Sequence, residues 1–335
     1  EVIHRLTDAQ RRMYDAMAAA WQIIFQNIEQ ALEITNGDNR ARANAMQKFW
    51  GDHQRCCRQV ISAFKVPALI EEVEREIEAG HACVVSLIGT GESKTKEQVT
   101  KATAAGGHIE DLDFSPREMI CGMVDRGFPT TQYVERTDPS TCQTTYVPLL
   151  DGEGKAVESK EAVRMKRMLL DQLSGLELPE HPLDQIINHF GVLKVAELTG
   201  RKRRLIRTRE GKLEYVKRNP DGVAMQNTNL HEMALFQEGK KDIAIISDAA
   251  STGISLHADK RAGNRKRRVH ITLELNWSAD KQLQFSALFG KKPLIPMLST
   301  ANRRRCNRGT EWTWFHSNTF TLGNFHCGSY GLTSC

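Results

Sequence analysis

Four consecutive apolar residues, Ile243, Ala244, Ile245 and Ile246, run straight into Ser247, Asp248, Ser251, Thr252 and Gly253. An unbroken apolar run of this length, bounded by small and polar residues, reads as a strand buried on both faces. Strands of that kind belong to parallel sheets covered by helices on either side, so the run places the chain in the α/β class. In open sheets of this class ligands bind outside the carboxyl ends of the strands. Small residues there let the backbone approach a phosphate, and Gly253 is free to adopt positive φ. Residues 269–275 read as the next strand.

Helical patterns surround these strands. Thr7 and Gln10 have capping-box spacing, and Tyr14, Met17, Trp21, Ile24, Phe25, Ile28 and Leu32 recur with helical period up to Gly37. A second helix is predicted over 39–64, with His53 facing solvent, and a third from Pro67 to Gly80. Residues 83–88 form a buried strand. Ser115 and Glu118 open a helix ending at Gly127, and 128–154 read as a long connection or insert. Helices follow at 159–174, 182–191 and 192–199. Residues 203–208 and 212–217, joined at Glu210 and Gly211, read as a β-hairpin, and 227–238 as a helix delivering Phe236 and Gly239 to the central strand.

Charge is distributed unevenly. The net charge is only +5, but residues 201–218 hold nine Lys/Arg against two Glu, and 260–268 hold six against none. Clusters of this sort suit a phosphate backbone, which makes Arg201, Lys202, Arg203, Arg204, Arg265, Lys266, Arg267 and Arg268 candidate nucleic-acid contacts. A solvated surface, or for 260–268 a nuclear-import signal, is the alternative. No apolar run approaches the ~20 residues that span a bilayer, so no membrane partner is expected. The eight cysteines include no Cys-x-x-Cys and read as reduced, mostly buried thiols. Cys306, His316, His326 and Cys327 fit no common zinc spacing, and no metal site is expected. The chain does not begin with Met and reads as a fragment.

Residues 89–95, Gly-Thr-Gly-Glu-Ser-Lys-Thr, superficially suggest a phosphate loop. The loop requires Gly-x-x-x-x-Gly-Lys-Ser/Thr, whose amides wrap the phosphates. Here the spacing from Gly89 to Lys94 is one residue short, and Ser93 occupies the position of the second Gly. A self-contained NTPase built on this loop therefore ranks last among the functions considered.

Phe236-x-x-Gly239, a strand, then Ser247-Asp-Ala-Ala-Ser-Thr-Gly-Ile resembles motif V in the second RecA-like domain of superfamily-two helicases. The fuller wording through Asp259, with residues 267–275 and Trp277-Ser-Ala-Asp280, resembles the Strawberry notch family. The resemblance is strong over 226–284, recognisable back to about residue 45, and stops near Gln284. It implies a RecA-like parallel sheet flanked by helices over 65–284, preceded by a helical region at 1–64. The remaining 285–335 read as an irregular tail, a candidate for disorder.

The resemblance also implies roles. Ser247 takes the motif V position that touches a nucleic-acid phosphate, and Asp248, Thr252 and Gly253 line the nucleotide cleft. Ser255 stands where many relatives carry an Asp that contacts the ribose, and Thr90 and Gly91 match motif IV, close to nucleic acid. The first RecA-like domain, with its phosphate loop, is missing, as are the motif VI arginines expected after Gln284, so no catalytic residue is assigned. ATP and magnesium are expected only where a first RecA-like domain completes the site. The expected function is the C-terminal half of a helicase-like protein in chromatin-linked transcriptional regulation, without ATPase activity alone. Its expected partners are DNA more than RNA, the missing domain, and chromatin or transcription factors. The expected location is nuclear, with cytoplasmic the alternative. A non-catalytic nucleic-acid or protein binding module is the competing reading.

Overall fold

The computed structural model describes residues 2–90, 99–100, 115–137, 144–208, 210–220, 222–247, 256, 258 and 262–274, together with the strand at 294–300. Its centre is a parallel sheet. The strands are β1 (Val2–Arg5), β2 (Ala82–Ser86), β5 (Val195–Leu198), β8 (Ile243–Ile246), β9 (Arg268–Thr272) and β10 (Leu294–Thr300), in the order β1-β10-β9-β2-β8-β5. Two antiparallel hairpins stand apart from it: β3 (Tyr133–Thr137) with β4 (Thr144–Pro148), and β6 (Arg203–Arg207) with β7 (Leu213–Lys217). The first gives the 128–154 insert a defined centre. The second is the expected basic hairpin, turning through Gly211 at φ +82°.

Helices cover both faces of the sheet. Helix α3 (Val66–Glu78) and helix α6 (Pro182–Phe190) pack on the face formed by Cys83, Val85, Ile243, Ile245 and Ile271. The opposite face, with Val84, Ala196, Leu198, Ala244 and Ile246, meets Phe236 of α7 (Thr228–Gln237). Every residue of β8 is at most 1% exposed, as a strand covered on both sides requires. Burial of each isoleucine contributes ~1.5–3 kcal/mol, so the apolar run both selects and stabilises the central strand.

A separate helical core lies beside the sheet. Helices α1 (Asp8–Ile34) and α2 (Asn39–Phe64) contribute Trp21, Ile24, Ile28, Phe49 and Val60. They are joined by α4 (Pro116–Gly127) with Ile120 and Val124, and by α5 (Lys160–Leu173) with Leu169. The expected capping box at Thr7 and Gln10 is present in full. Two helices of this core thus come from the segment between β2 and β5, far along the chain from α1 and α2. Among the described residues no helix is long and apolar enough to cross a membrane.

Two local expectations are corrected. Residues 192–199 were expected as helix, but Val195–Leu198 form β5, in register with Ile243–Ile246 of β8. Four residues are too few for periodicity to decide, and pairing with a fully buried neighbour settles the matter. His53, expected to face solvent, is 8% exposed and packs edge-on against Trp21, with their ring centroids 5.0 Å apart. The buried thiols of Cys57 and Cys83 are each pushed up to about 12 by desolvation, which leaves them protonated and inert.

Candidate functional site at the carboxyl edge of the sheet

Strands β8 and β5 lie on one side of β2, and β9 and β10 on the other, so the strand order reverses about β2. A crevice outside its carboxyl end is the expected ligand position. Three candidate segments leave from this edge. The chain passes from Ser86 of β2 to Thr90, from Ile246 of β8 to Ser247, and from Leu198 of β5 into the basic hairpin. Backbone hydrogen bonds hold the three exits side by side: Leu87 N–H donates to Ile246 O at 3.1 Å, and Ser247 N–H donates to Leu198 O at 3.2 Å.

The loop carrying Arg265, Lys266 and Arg267 is elsewhere. It enters β9 at Arg268, which pairs with Ala82, the first residue of β2. In a parallel sheet the starts of all strands share one edge, so these three exposed cations sit on the amino edge, opposite Thr90 and Ser247. Lys266 is also ion-paired with Asp242 at 2.7 Å. The two basic clusters therefore do not form one surface.

Several expected contacts are internal. Arg201 is 4% exposed, and its guanidinium holds Glu197 and Asp184, each at 2.6 Å. Arg204 reaches Glu197 at 3.7 Å. Arg268 is 1% exposed; it lies over the Phe236 ring at 4.8 Å and donates to Leu256 O and Asn264 O. Arg201 and Arg268 are therefore corrected from surface phosphate contacts to internal ties. Burying a guanidinium demands a partner, and the fold supplies carboxylates, carbonyls and an aromatic face. Of the hairpin cations, Lys202, Arg203, Arg207, Lys212 and Lys217 remain exposed. Arg203 and Lys217 are directly opposite in register, and Arg203 stacks over Tyr215.

Sequence reasoning missed the network that organises these arginines. Glu197, on β5, is completely buried. Burial pushes its carboxyl up, but the charges of Arg201 and Arg218, with hydrogen bonds from Arg201 and Thr199, bring it below the ordinary value. Strand β5 is a sheet edge, and its outward carbonyls are all engaged. Lys241 Nζ donates to Val195 O at 2.9 Å, Arg218 Nη2 donates to Glu197 O, and Arg218 Nη1 and Asn229 Nδ2 each donate to Thr199 O at 3.0 Å. Cations thus close an edge that would otherwise invite strand addition. The one available signal was a Glu inside the apolar stretch Val-Ala-Glu-Leu, and nothing in the sequence named its partners.

At the carboxyl edge the hydroxyls of Ser247 and Thr272, each on a residue 1% exposed, have no hydrogen-bond partner among the described residues. Ser247 directly follows β8, with its Oγ buried rather than open to solvent. His270 Nε2 lies 3.0 Å from Ser86 Oγ, and burial pushes its imidazole down to about 4. The remaining candidates, Gly91, Asp248, Thr252, Gly253 and Ser255, lie outside the described residues, as do the four candidate zinc ligands. Among the described residues no group of His, Cys, Asp and Glu could hold a metal.

Residues 181–288 match the model of the C-terminal domain on Strawberry notch homologues. The chain is 29% identical to rat protein strawberry notch homolog 1 over 83% of its own length and 27% of the relative's. It is 26% identical to protein FORGETTER 1 of Arabidopsis thaliana, over 84% of the chain and 30% of that protein. Against protein strawberry notch of Drosophila melanogaster the identity is 46% over 128 residues, 37% of this chain and 8% of the relative. The chain thus spans less than a third of the length of these relatives.

Proposed function

We propose, from the match of residues 181–288 to the C-terminal domain of Strawberry notch homologues, that the chain acts as the second RecA-like half of an ATP-driven nucleic-acid remodeler. In this reading the carboxyl edge meets nucleic acid and a first RecA-like domain carries the phosphate loop. The supporting observation is the position of Ser247, where the matched segment leaves β8. Ser247 follows Ile246, whose carbonyl bonds Leu87 of the segment leading to Thr90, at the reversal of strand order, and it bonds Leu198 at the root of the basic hairpin. The chain's own residues would bind and orient the strand through Thr90 and the exposed hairpin cations, with the buried Ser247 reaching a phosphate only if its surroundings open on binding. Asp248, Thr252, Gly253 and Ser255 would face ATP and magnesium held mainly by the other domain. ATP supplies the driving phosphoryl transfer when bound. The work belongs in the nucleus, in chromatin-linked transcription, with DNA the preferred nucleic acid.

Two measurements check this reading. Alone, the chain is expected to release no phosphate from ATP with or without DNA, because the arginine fingers worth ~10³–10⁵ in rate in related enzymes have no counterpart assigned here. DNA-stimulated release in a malachite-green assay would overturn that part. Binding of a fluorescent duplex is expected to weaken steeply between about 50 and about 200 mM salt, with a log–log slope of about −4 if most of the exposed hairpin cations meet phosphates. Arg203→Glu with Lys217→Glu should reduce the slope by about 2, while Arg265→Glu with Arg267→Glu, on the opposite edge, should leave it unchanged. Equal losses from both pairs would put the interface elsewhere.

A further inference from the structure

The loop that leaves β2 toward Thr90 is not held by strand pairing alone. Leu87 N–H still bonds to β8, through Ile246 O at 3.1 Å, and Leu273 N–H donates to Ser86 O at 3.0 Å on the other side. One residue later the pattern changes. Ile88 N–H donates to a side chain, Glu274 Oε2, at 3.0 Å. The carboxylate takes the place of a strand carbonyl, and the chain peels away from the sheet there. The other oxygen, Oε1, is paired with Arg58 of α2 at 2.8 Å. Both side chains are largely covered, at 24% exposure for Arg58 and 15% for Glu274, so water screens the pair less than a surface bridge.

The joint has a second member. Lys65, the single residue between α2 and α3, is 3% exposed and donates from Nζ to Leu273 O at 3.2 Å. Its ammonium is lowered to about 8 by desolvation, against the opposing charge of Glu274. The junction of α2 and α3 therefore grips consecutive residues, Leu273 and Glu274, just past β9. The helical core is tied in this way to the carboxyl edge, two residues from the candidate contact Thr90.

We propose that Glu274 is a positioning residue for the nucleic-acid edge: one carboxylate oxygen fixes the Ile88 amide and so aims the segment leading to Thr90, while the other couples that segment to the helical core through Arg58. The proposal rests on the reading of that edge as a nucleic-acid site. It gives the helical core a place in sensing whether the edge is occupied. A structural brace alone would tolerate any partner for Arg58. A positioning device requires an acceptor for the Ile88 N–H, and Glu→Gln preserves the acceptor while removing the charge.

The test compares the unsubstituted chain with Glu274→Gln, Glu274→Ala and Arg58→Gln, reading duplex binding by anisotropy and amide hydrogen exchange by mass spectrometry. Glu274→Ala is expected to weaken duplex binding about tenfold, on the scale of a charge-assisted hydrogen bond, and to speed exchange in the peptide covering 87–90. Glu274→Gln should stay within about threefold of the parent and keep the 87–90 protection, yet lose the slowing of exchange around Arg58 that duplex produces in the parent. Arg58→Gln should match Glu274→Gln. Unchanged exchange at 87–90 in Glu274→Ala overturns the proposal, as does Glu274→Gln behaving like Glu274→Ala. If Glu274→Ala does not fold, the two Gln variants carry the decision. A parent chain that binds no duplex counts against the nucleic-acid reading itself. The exchange comparison without duplex still decides whether Glu274 holds that segment.

Discussion

Glu197→Gln is expected to lower the unfolding free energy by about 3–5 kcal/mol. The carboxylate is completely buried and answers three cations, Arg201 at 2.6 Å, Arg218 at 3.4 Å and Arg204 at 3.7 Å. Removing its charge leaves those three against Asp184, which pairs with Arg201, and the more distant Glu232, which acts on Arg204 and Arg218. A buried ion pair adds little over a well-packed apolar pair, but removing one member leaves an uncompensated charge where desolvation is costly. The same guanidiniums close the open edge of β5, so their displacement exposes strand carbonyls as well. Urea unfolding followed by far-ultraviolet circular dichroism measures the loss. The matched control is Glu180→Gln, which breaks the half-exposed pair with Arg207 at 2.8 Å and should cost less than about 1 kcal/mol. A loss below about 1 kcal/mol for Glu197→Gln would show that water or rearrangement compensates the arginines.

The second large effect is on acid stability. His181 is buried at the N-terminus of α6, where its Nδ1 accepts from Leu183 N–H at 3.2 Å. Burial, and then the nearby Arg201 charge, push it down from 6.5 to about 3. His270 is pushed down to about 4 by burial. Both are neutral in the folded chain and protonate at their ordinary value when it unfolds. A group whose folded pKa is depressed in this way favours the unfolded, proton-binding state as the pH falls. Their contribution is therefore fully present above pH 6.5 and is lost below it. Two protons taken up on unfolding give a slope of about 2.7 kcal/mol per pH unit between about pH 6 and about pH 4.5. Protonating His181 also turns an acceptor toward a donor, so the cap of α6 is lost with the charge. His181→Asn keeps an acceptor for the cap and should roughly halve the slope, measured as urea midpoints at successive pH values. A slope unchanged in His181→Asn would show that His181 already carries its proton in the folded chain.

Much of the architecture was legible because it depends on local chemistry. The caps at Thr7 and Ser115 each accept from a backbone amide of their own helix, and Gly239 takes φ +78° just past α7. Glycine tolerates that conformation without strain, which is why Phe236-x-x-Gly239 marked a helix end. The residues missed at the site share the opposite property. Glu274 acts on Ile88, 186 positions away, and Lys65 on Leu273, 208 positions away. No spacing rule links such pairs. The Val-Ala-Glu-Leu strand was misread for a related reason, since a four-residue segment acquires its identity from the strand it joins.

By itself, the sequence determined that Ile243–Ile246 is a strand buried on both sides, that helices and a basic hairpin surround it, and that small polar residues leave its carboxyl end. Those properties reside in side-chain size, branching and hydrogen-bonding capacity, which every residue carries with it. Tertiary structure alone decided which cations face water and which are enclosed. Arg203 and Arg201 are two positions apart in one basic run, yet one is exposed and the other is locked between Glu197 and Asp184. It also put the two basic runs on opposite edges, because a parallel sheet gathers all strand starts on one side and all strand ends on the other. Charge is a property of a residue, but its availability to a ligand is a property of the space around it.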